Sequence, residues 1–181
     1  MQNANADKLM KLSGMMQQLC IFALAVLMIA TLYAVGRLTI DADAFLSTII
    51  GSRLPVMGIG ASQVLGIVLV NAVSVVLLAA ALHALWKMFS QFAQGNILSA
   101  VPTRLMRRAG QMFLAGALWS IIAHSLTVLL ATAANPQGER SLSIAFGSQQ
   151  LFALLLAGTL FAVGHVLSEA IRLDQENKGF V

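Results

Sequence analysis

Polar and apolar positions in this chain alternate on the scale of whole segments rather than of single residues. Charged side chains are absent from 12–36, 54–86, 109–138 and 141–168, and the joints between these stretches are short. Each stretch is longer than the roughly 20 residues that a helix rising about 1.5 Å per residue needs to cross a bilayer. The pattern predicts an all-α membrane protein built as a four-transmembrane-helix bundle, with spans at about 15–36, 63–87, 109–133 and 149–172. The spans form one domain, 15–172, between an N-terminal segment 1–14 and a tail 173–181. Lys8 and Lys11 before an apolar run, with Ala30 and Ala34 after it, have the outline of a signal peptide. The run from Leu19 to Gly36 is longer than a usual signal core and meets Arg37 directly, which favours an uncleaved first helix.

The joints carry their own signals. After the first span, Asp41 or Asp43 is placed to cap a short helix bearing Phe45, Leu46, Ile49 and Ile50 and stopped by Gly51; it is expected to lie in the outer interface. Pro55, Gly58 and Gly60 break the chain before the second span. That helix is expected to run on through Met88, Phe89 and Phe92 and to stop at Gly95-Asn96, with Pro102 in the first turn of the next. In the last joint Leu142, Ile144 and Phe146 alternate with smaller residues, the period of a strand, and Leu38 to Asp41 is its natural partner in a short two-stranded outer cap.

Lys and Arg fix an orientation. If the spans alternate, Lys8, Lys11, Lys87, Arg104, Arg107, Arg108, Arg172 and Lys178 fall on one side, and Arg37, Arg53 and Arg140 on the other. Basic residues accumulate on the cytoplasmic face, so both termini and the central loop are expected inside. The composition agrees with a lipid solvent: 59% hydrophobic residues, 10% charged residues and a mean hydropathy of +0.84. A net charge of +4 concentrated beside the spans points to anionic lipid headgroups rather than to direct nucleic-acid binding. Arg104, Arg107 and Arg108, three and four residues apart, are expected on one helix face at headgroup depth, to anchor lipid phosphates or to dock an acidic protein. The single cysteine, Cys20, sits among Leu19, Ile21 and Phe22 and reads as an apolar filler.

A polar group inside lipid needs an internal partner or a task. Gly110, Ala117, Ser120, His124, Thr127 and Ala131 form a small and polar stripe on the third span, and Gly158, Ala162, His165 and Glu169 form another on the fourth; both are expected to face neighbouring helices. Asn71 is expected to bond between helices. His83, His124 and His165 raise the question of a haem or metal, which depth arithmetic narrows. His83 lies about 6 Å from Lys87 and His165 about 10 Å from Arg172, whereas His124 lies about 24 Å from Arg108, near the other surface. Only His83 and His165, with Glu169 one turn on, remain as a ligand pair, beside the simpler reading of hydrogen-bonding or proton-sensing histidines. Glu169 is either a partner for Arg172 or part of a proton or cation relay, and Arg172 can also pair with Glu176. No nucleophile elbow, phosphate-binding glycine loop, zincin motif or intramembrane aspartate pair occurs, so neither catalytic residues nor a resident cofactor or metal is expected.

Two segments resemble a known family. Gly95-Asn96-Ile97-Leu98-Ser99, then Arg104, Arg107, Arg108 and Gly110, is similar to the central loop of the small bacterial membrane proteins grouped as domain of unknown function 2975 (DUF2975). Glu169-Ala170-Ile171-Arg172-Leu173, Glu176-Asn177 and Phe180-Val181 resemble that family's closing segment. Leu98 stands where the family favours phenylalanine, and Pro102 where an asparagine is common. The resemblance implies no biochemical activity. Because its members are often encoded beside a small helix-turn-helix regulator, it implies by association a cytoplasmic DNA-binding partner, held through the inner loop and the tail with its Phe180-Val181 terminus. A small-molecule or ion transport component, working as a homo-oligomer, and a cofactor-bearing membrane subunit are the alternatives.

Overall fold

The computed structural model describes residues 2–50, 58–95, 99–133, 135 and 147–178. They form five helices: α1 Gln2–Ile40, α2 Ala42–Ile50, α3 Ala61–Ala93, α4 Ala100–Thr132 and α5 Ser148–Lys178. α1, α3, α4 and α5 are each long and apolar enough to cross a membrane. Their outward surfaces carry Phe22, Leu32, Leu69, Val76, Phe152 and Val166, all exposed, as expected where hydrocarbon is the solvent.

Local chemistry explains where the helices start and stop. Asp41 Oδ1 accepts the Ala44 N–H at 3.1 Å and caps α2, while Asp43 accepts the N–H groups of Gly58 and Ile59, both at 3.3 Å, tying the approach to α3 back onto α2. α3 ends at Ala93, and Gly95 then takes φ +81, the left-handed conformation that a glycine adopts without strain. Ser99 is the N-cap of α4, and Pro102 falls in its first turn, where a missing N–H costs nothing.

Two helices begin with the same device. Gln63 Oε1 accepts the Gly60 N–H at 2.7 Å, and Gln150 Oε1 accepts the Gly147 N–H at 3.0 Å. In each case the amide nitrogen of the same glutamine reaches α4: Gln63 Nε2 donates to the Leu130 carbonyl at 3.1 Å, and Gln150 Nε2 to Ser120 Oγ at 3.4 Å. One side chain thus closes a helix start and docks it on its neighbour.

The helices pack as a row in the order α1, α3, α4, α5, with α2 folded against the end of α1. The expected bundle is therefore open: α4 lies between α3 and α5, and no extensive contact closes α5 onto α1 or α3 among the described residues. Leu38, Leu46, Ile67 and Ala131 form a buried cluster that joins α1, α2, α3 and α4 at one end, called the far end below. The opposite end carries Lys87, Arg104, Arg107 and Arg108 and is called the basic end.

Two expectations need correction. Leu38 to Ile40 is the last turn of α1, so it is not the strand that would pair with 142–146; that second segment lies outside the described residues, as do Gly51, Pro55 and Phe180-Val181. The Gly158, Ala162, His165 and Glu169 stripe of α5 is exposed, and the face against α4 is instead Ala157, Gly164 and Ile171, one position away. The reason is steric. A Cβ on Gly110 of α4 would meet Phe161 Cδ2 at 3.2 Å and the Ala157 carbonyl oxygen at 3.3 Å, and one on Gly164 would meet Arg107 Cγ at 3.1 Å, whereas one on Gly158 would meet nothing within 4 Å. The bare backbones at 110 and 164 set the approach of the two helices.

Candidate functional site

The predicted polar residues separate into a seam between helices and a cluster at the basic end. In the seam, Asn71 Nδ2 donates to Thr127 Oγ1 at 3.2 Å and to the Ile67 carbonyl at 2.9 Å, the interhelical role expected of it. Trp119 Nε1 donates to the Val70 carbonyl at 3.1 Å, joining the same two helices. Ser120 Oγ bonds back to the Ala117 carbonyl at 2.8 Å and accepts from Gln150. The α4 stripe therefore does face its neighbours, with Gly110, Ala117 and Ala131 buried and Ser120, His124 and Thr127 half-buried. Toward the far end a mostly apolar cleft of about 360 Å³ opens among α1, α2 and α3, with Asn71 and Thr127 in its wall.

The basic end is shaped by how far the helices run. α3 continues six residues past Lys87, about 9 Å. α4 starts eight residues before Arg108, about 12 Å. α5 is shifted toward this end: Gln150 reaches Ser120, Ala157 meets Gly110 and Gly164 meets Arg107. Since Gly164 lies level with Arg107, the rest of α5 to Lys178 extends about 21 Å beyond that level. Arg172, expected at the membrane boundary, is about 12 Å further out than Arg107. The end is packed: Met88, Pro102 and Thr103 are buried, Thr103 Oγ1 donates to the Ser99 carbonyl at 3.3 Å, and Phe89 and Phe92 meet edge to face at 6.3 Å.

The three arginines of α4 do not act as one face. Arg107 lays its aliphatic stem over Gly164 of α5, Arg108 turns toward α3, and Arg104 stands exposed one turn nearer the α3–α4 joint. Successive residues on a helix are about 100° apart, so Arg107 and Arg108 face different neighbours even though each shares a side with Arg104. Between α3 and α4 lies a hollow of about 340 Å³ whose polar wall is His83, Lys87 and Arg108. Ala80 and buried Ala84 also line it, and the His83 ring is stacked on Trp86 at 5.5 Å with an interplanar angle of 26°.

The remaining candidates are dispersed. His83 is on α3, His124 on α4 and His165 on α5, and because α4 separates α3 from α5 the proposed His83 and His165 ligand pair is not brought together. No group of three or more His, Cys, Asp or Glu converges among the described residues. Glu169 pairs with Arg172 at 2.5 Å, and Arg172 approaches Glu176 at 3.7 Å, both on the exposed face of α5. Sequence reasoning missed Lys87 as a neighbour of Arg108, and missed Gln63 and Gln150. For the glutamines a signal existed, since each stands three residues after a glycine at the start of an apolar run, the spacing of a capping box. No protein-family model, curated protein or solved structure matches this chain.

Proposed function

We propose that this chain is a non-enzymatic multi-pass protein of the bacterial inner membrane, with both termini cytoplasmic, which holds a cytoplasmic protein on its basic end. The observation that carries the reading is the helical platform there: α3, α4 and α5 all continue past the level of Lys87 and Arg108 and present exposed Arg104 on a packed end. Crossing the bilayer needs about 20 residues, and these helices run some 10–20 Å beyond that level. The excess of basic residues at this end supports its cytoplasmic placement. The resemblance to DUF2975 in 95–110 and 169–181 supports a DNA-binding regulator as the partner, which the protein would sequester or signal to.

Transport is a weaker reading. Ser120, Thr127 and Trp119 of the α4 seam are engaged in bonds between and within helices, and Glu169 is paired with Arg172 rather than aimed along a path. The test is to crosslink tagged protein in its native cells, purify it in mild detergent and identify co-eluting proteins by mass spectrometry. Recovery of a helix-turn-helix protein, lost on deleting 170–181 or on changing Arg104, Arg107 and Arg108 to glutamine, is the expected result. A clean preparation, or unchanged recovery with the glutamine variant, would overturn the docking role.

A further inference from the structure

Beneath the projecting end, the hollow between α3 and α4 sets Arg108 against two residues that the docking reading does not call on, His83 and Lys87. His83 and Lys87 lie on successive turns of one side of α3, and Arg108 faces them from α4, with the small side chains of Ala80 and Ala84 leaving space between. Among the residues whose side chains are described, neither Lys87 nor Arg108 makes an ion pair: Asp41 and Asp43 stand at the far end, and Glu169 and Glu176 are engaged by Arg172 on α5. Two cations on facing helices, with no carboxylate between them among the described side chains, repel each other unless an anion joins them. The level of the hollow says which anion is at hand. The charge-free run of α3 ends at Trp86, next to Lys87, and that of α4 begins at Ala109, next to Arg108. Both helices therefore leave hydrocarbon at this depth, where lipid phosphates lie.

We propose that His83, Lys87 and Arg108 form a phosphate-binding site for the headgroup of an anionic glycerophospholipid. Arg108 and Lys87 take the phosphate oxygens, the first through its planar fork and the second as a point charge. An imidazole N–H of His83, its ring held against Trp86, donates to a further oxygen of the phosphate or glycerol. The Ala80 and Met112 side of the hollow, toward the bilayer, receives the start of an acyl chain. The assignment holds for either orientation of the chain and does not depend on the proposed protein partner.

Trp86 supplies the reporter. The full chain carrying Trp119→Phe, so that Trp86 is its one tryptophan, is reconstituted in phosphatidylcholine vesicles containing a small fraction of phosphatidylglycerol with brominated acyl chains, or of brominated phosphatidylcholine. Quenching by the anionic lipid is expected to occur at a mole fraction on the order of tenfold lower than quenching by the zwitterionic one. The preference should fall to near unity in Lys87→Gln and Arg108→Gln, each with unchanged helicity by circular dichroism, and persist in Arg104→Gln. Equal quenching by the two lipids would overturn the site, and so would equal loss in Arg104→Gln, which would reduce it to general surface charge. Relief of quenching by millimolar inorganic phosphate, with no such effect of sodium chloride at equal ionic strength, would reassign the site to free phosphate and overturn the lipid assignment.

Discussion

A branched side chain at Gly110 should separate α4 from α5, whereas the same change at Gly158 should do nothing. A Cβ at 110 would sit 3.2 Å from Phe161 Cδ2, 3.3 Å from the Ala157 carbonyl oxygen and 3.4 Å from Leu160 Cβ. Phe161 can turn aside, but the carbonyl is backbone, so α5 itself must shift by a few tenths of an ångström even for alanine. In Gly110→Ala that strain is set against up to about 1 kcal/mol of helix propensity, and the net effect should be small. In Gly110→Ile two further branches enter the same gap, and overpacking of this kind costs about 1–3 kcal/mol. At Gly158 nothing lies within 4 Å, so Gly158→Ile should stay within about 0.5 kcal/mol of the parent. The free energies come from reversible unfolding in mixed micelles of mild detergent and sodium dodecyl sulfate, followed by circular dichroism. A stable Gly110→Ile, or a destabilised Gly158→Ile, would refute packing of α4 on the Ala157 and Gly164 face of α5 and return the contact to the Gly158 face.

Three further substitutions probe other joints of the fold. Asn71→Leu and Thr127→Val should show a coupling of about 0.6 kcal/mol, at most about 1.7, in a double-mutant cycle by the same unfolding assay, since the pair shares one bond between helices. Gln63→Leu removes both the bond to the Gly60 N–H and the bond to the Leu130 carbonyl, and should destabilise by about 1–3 kcal/mol; a change below about 0.5 kcal/mol would show that water or lipid headgroups replace both. Arg172→Gln should alter stability by less than about 1 kcal/mol, because its partners Glu169 and Glu176 are about half exposed and solvent screens the pairs; a larger loss would place α5 deeper than its register with α4 implies.

How much of this was legible in the sequence follows the physics of each signal. The four helices were legible because length and absence of charge are set by the bilayer, and the stop at Gly95 because a residue with positive φ favours glycine. The α2 cap was legible down to a choice between Asp41 and Asp43, which the structure settles for Asp41, and Asn71 was legible because a lone amide within a span has one obvious use. The face of α5 was not, since small residues occur at 157, 158, 162 and 164 and periodicity alone does not choose between faces one residue apart. Only the fit of Gly164 to the Arg107 stem, and of Gly110 to Ala157, decides it. The open row of helices was hidden for a similar reason: lipid covers an apolar face as well as another helix does, so hydropathy carries no record of which faces meet. The hollow at the basic end needed the α3–α4 register, which brings Lys87 to Arg108 and leaves Arg107 to α5.

Docking of a cytoplasmic protein requires the basic platform to lie on the cytoplasmic side of the membrane, and cysteine labelling in intact cells tests this most directly. In a Cys20→Ser background, Gln94→Cys marks the exposed turn after α3 and Thr48→Cys the exposed side of α2 at the far end. A membrane-impermeant maleimide should label Thr48→Cys in intact cells, and Gln94→Cys only after permeabilisation. Labelling of Gln94→Cys in intact cells, with Thr48→Cys protected, would put the platform outside and contradict the docking of any cytoplasmic partner.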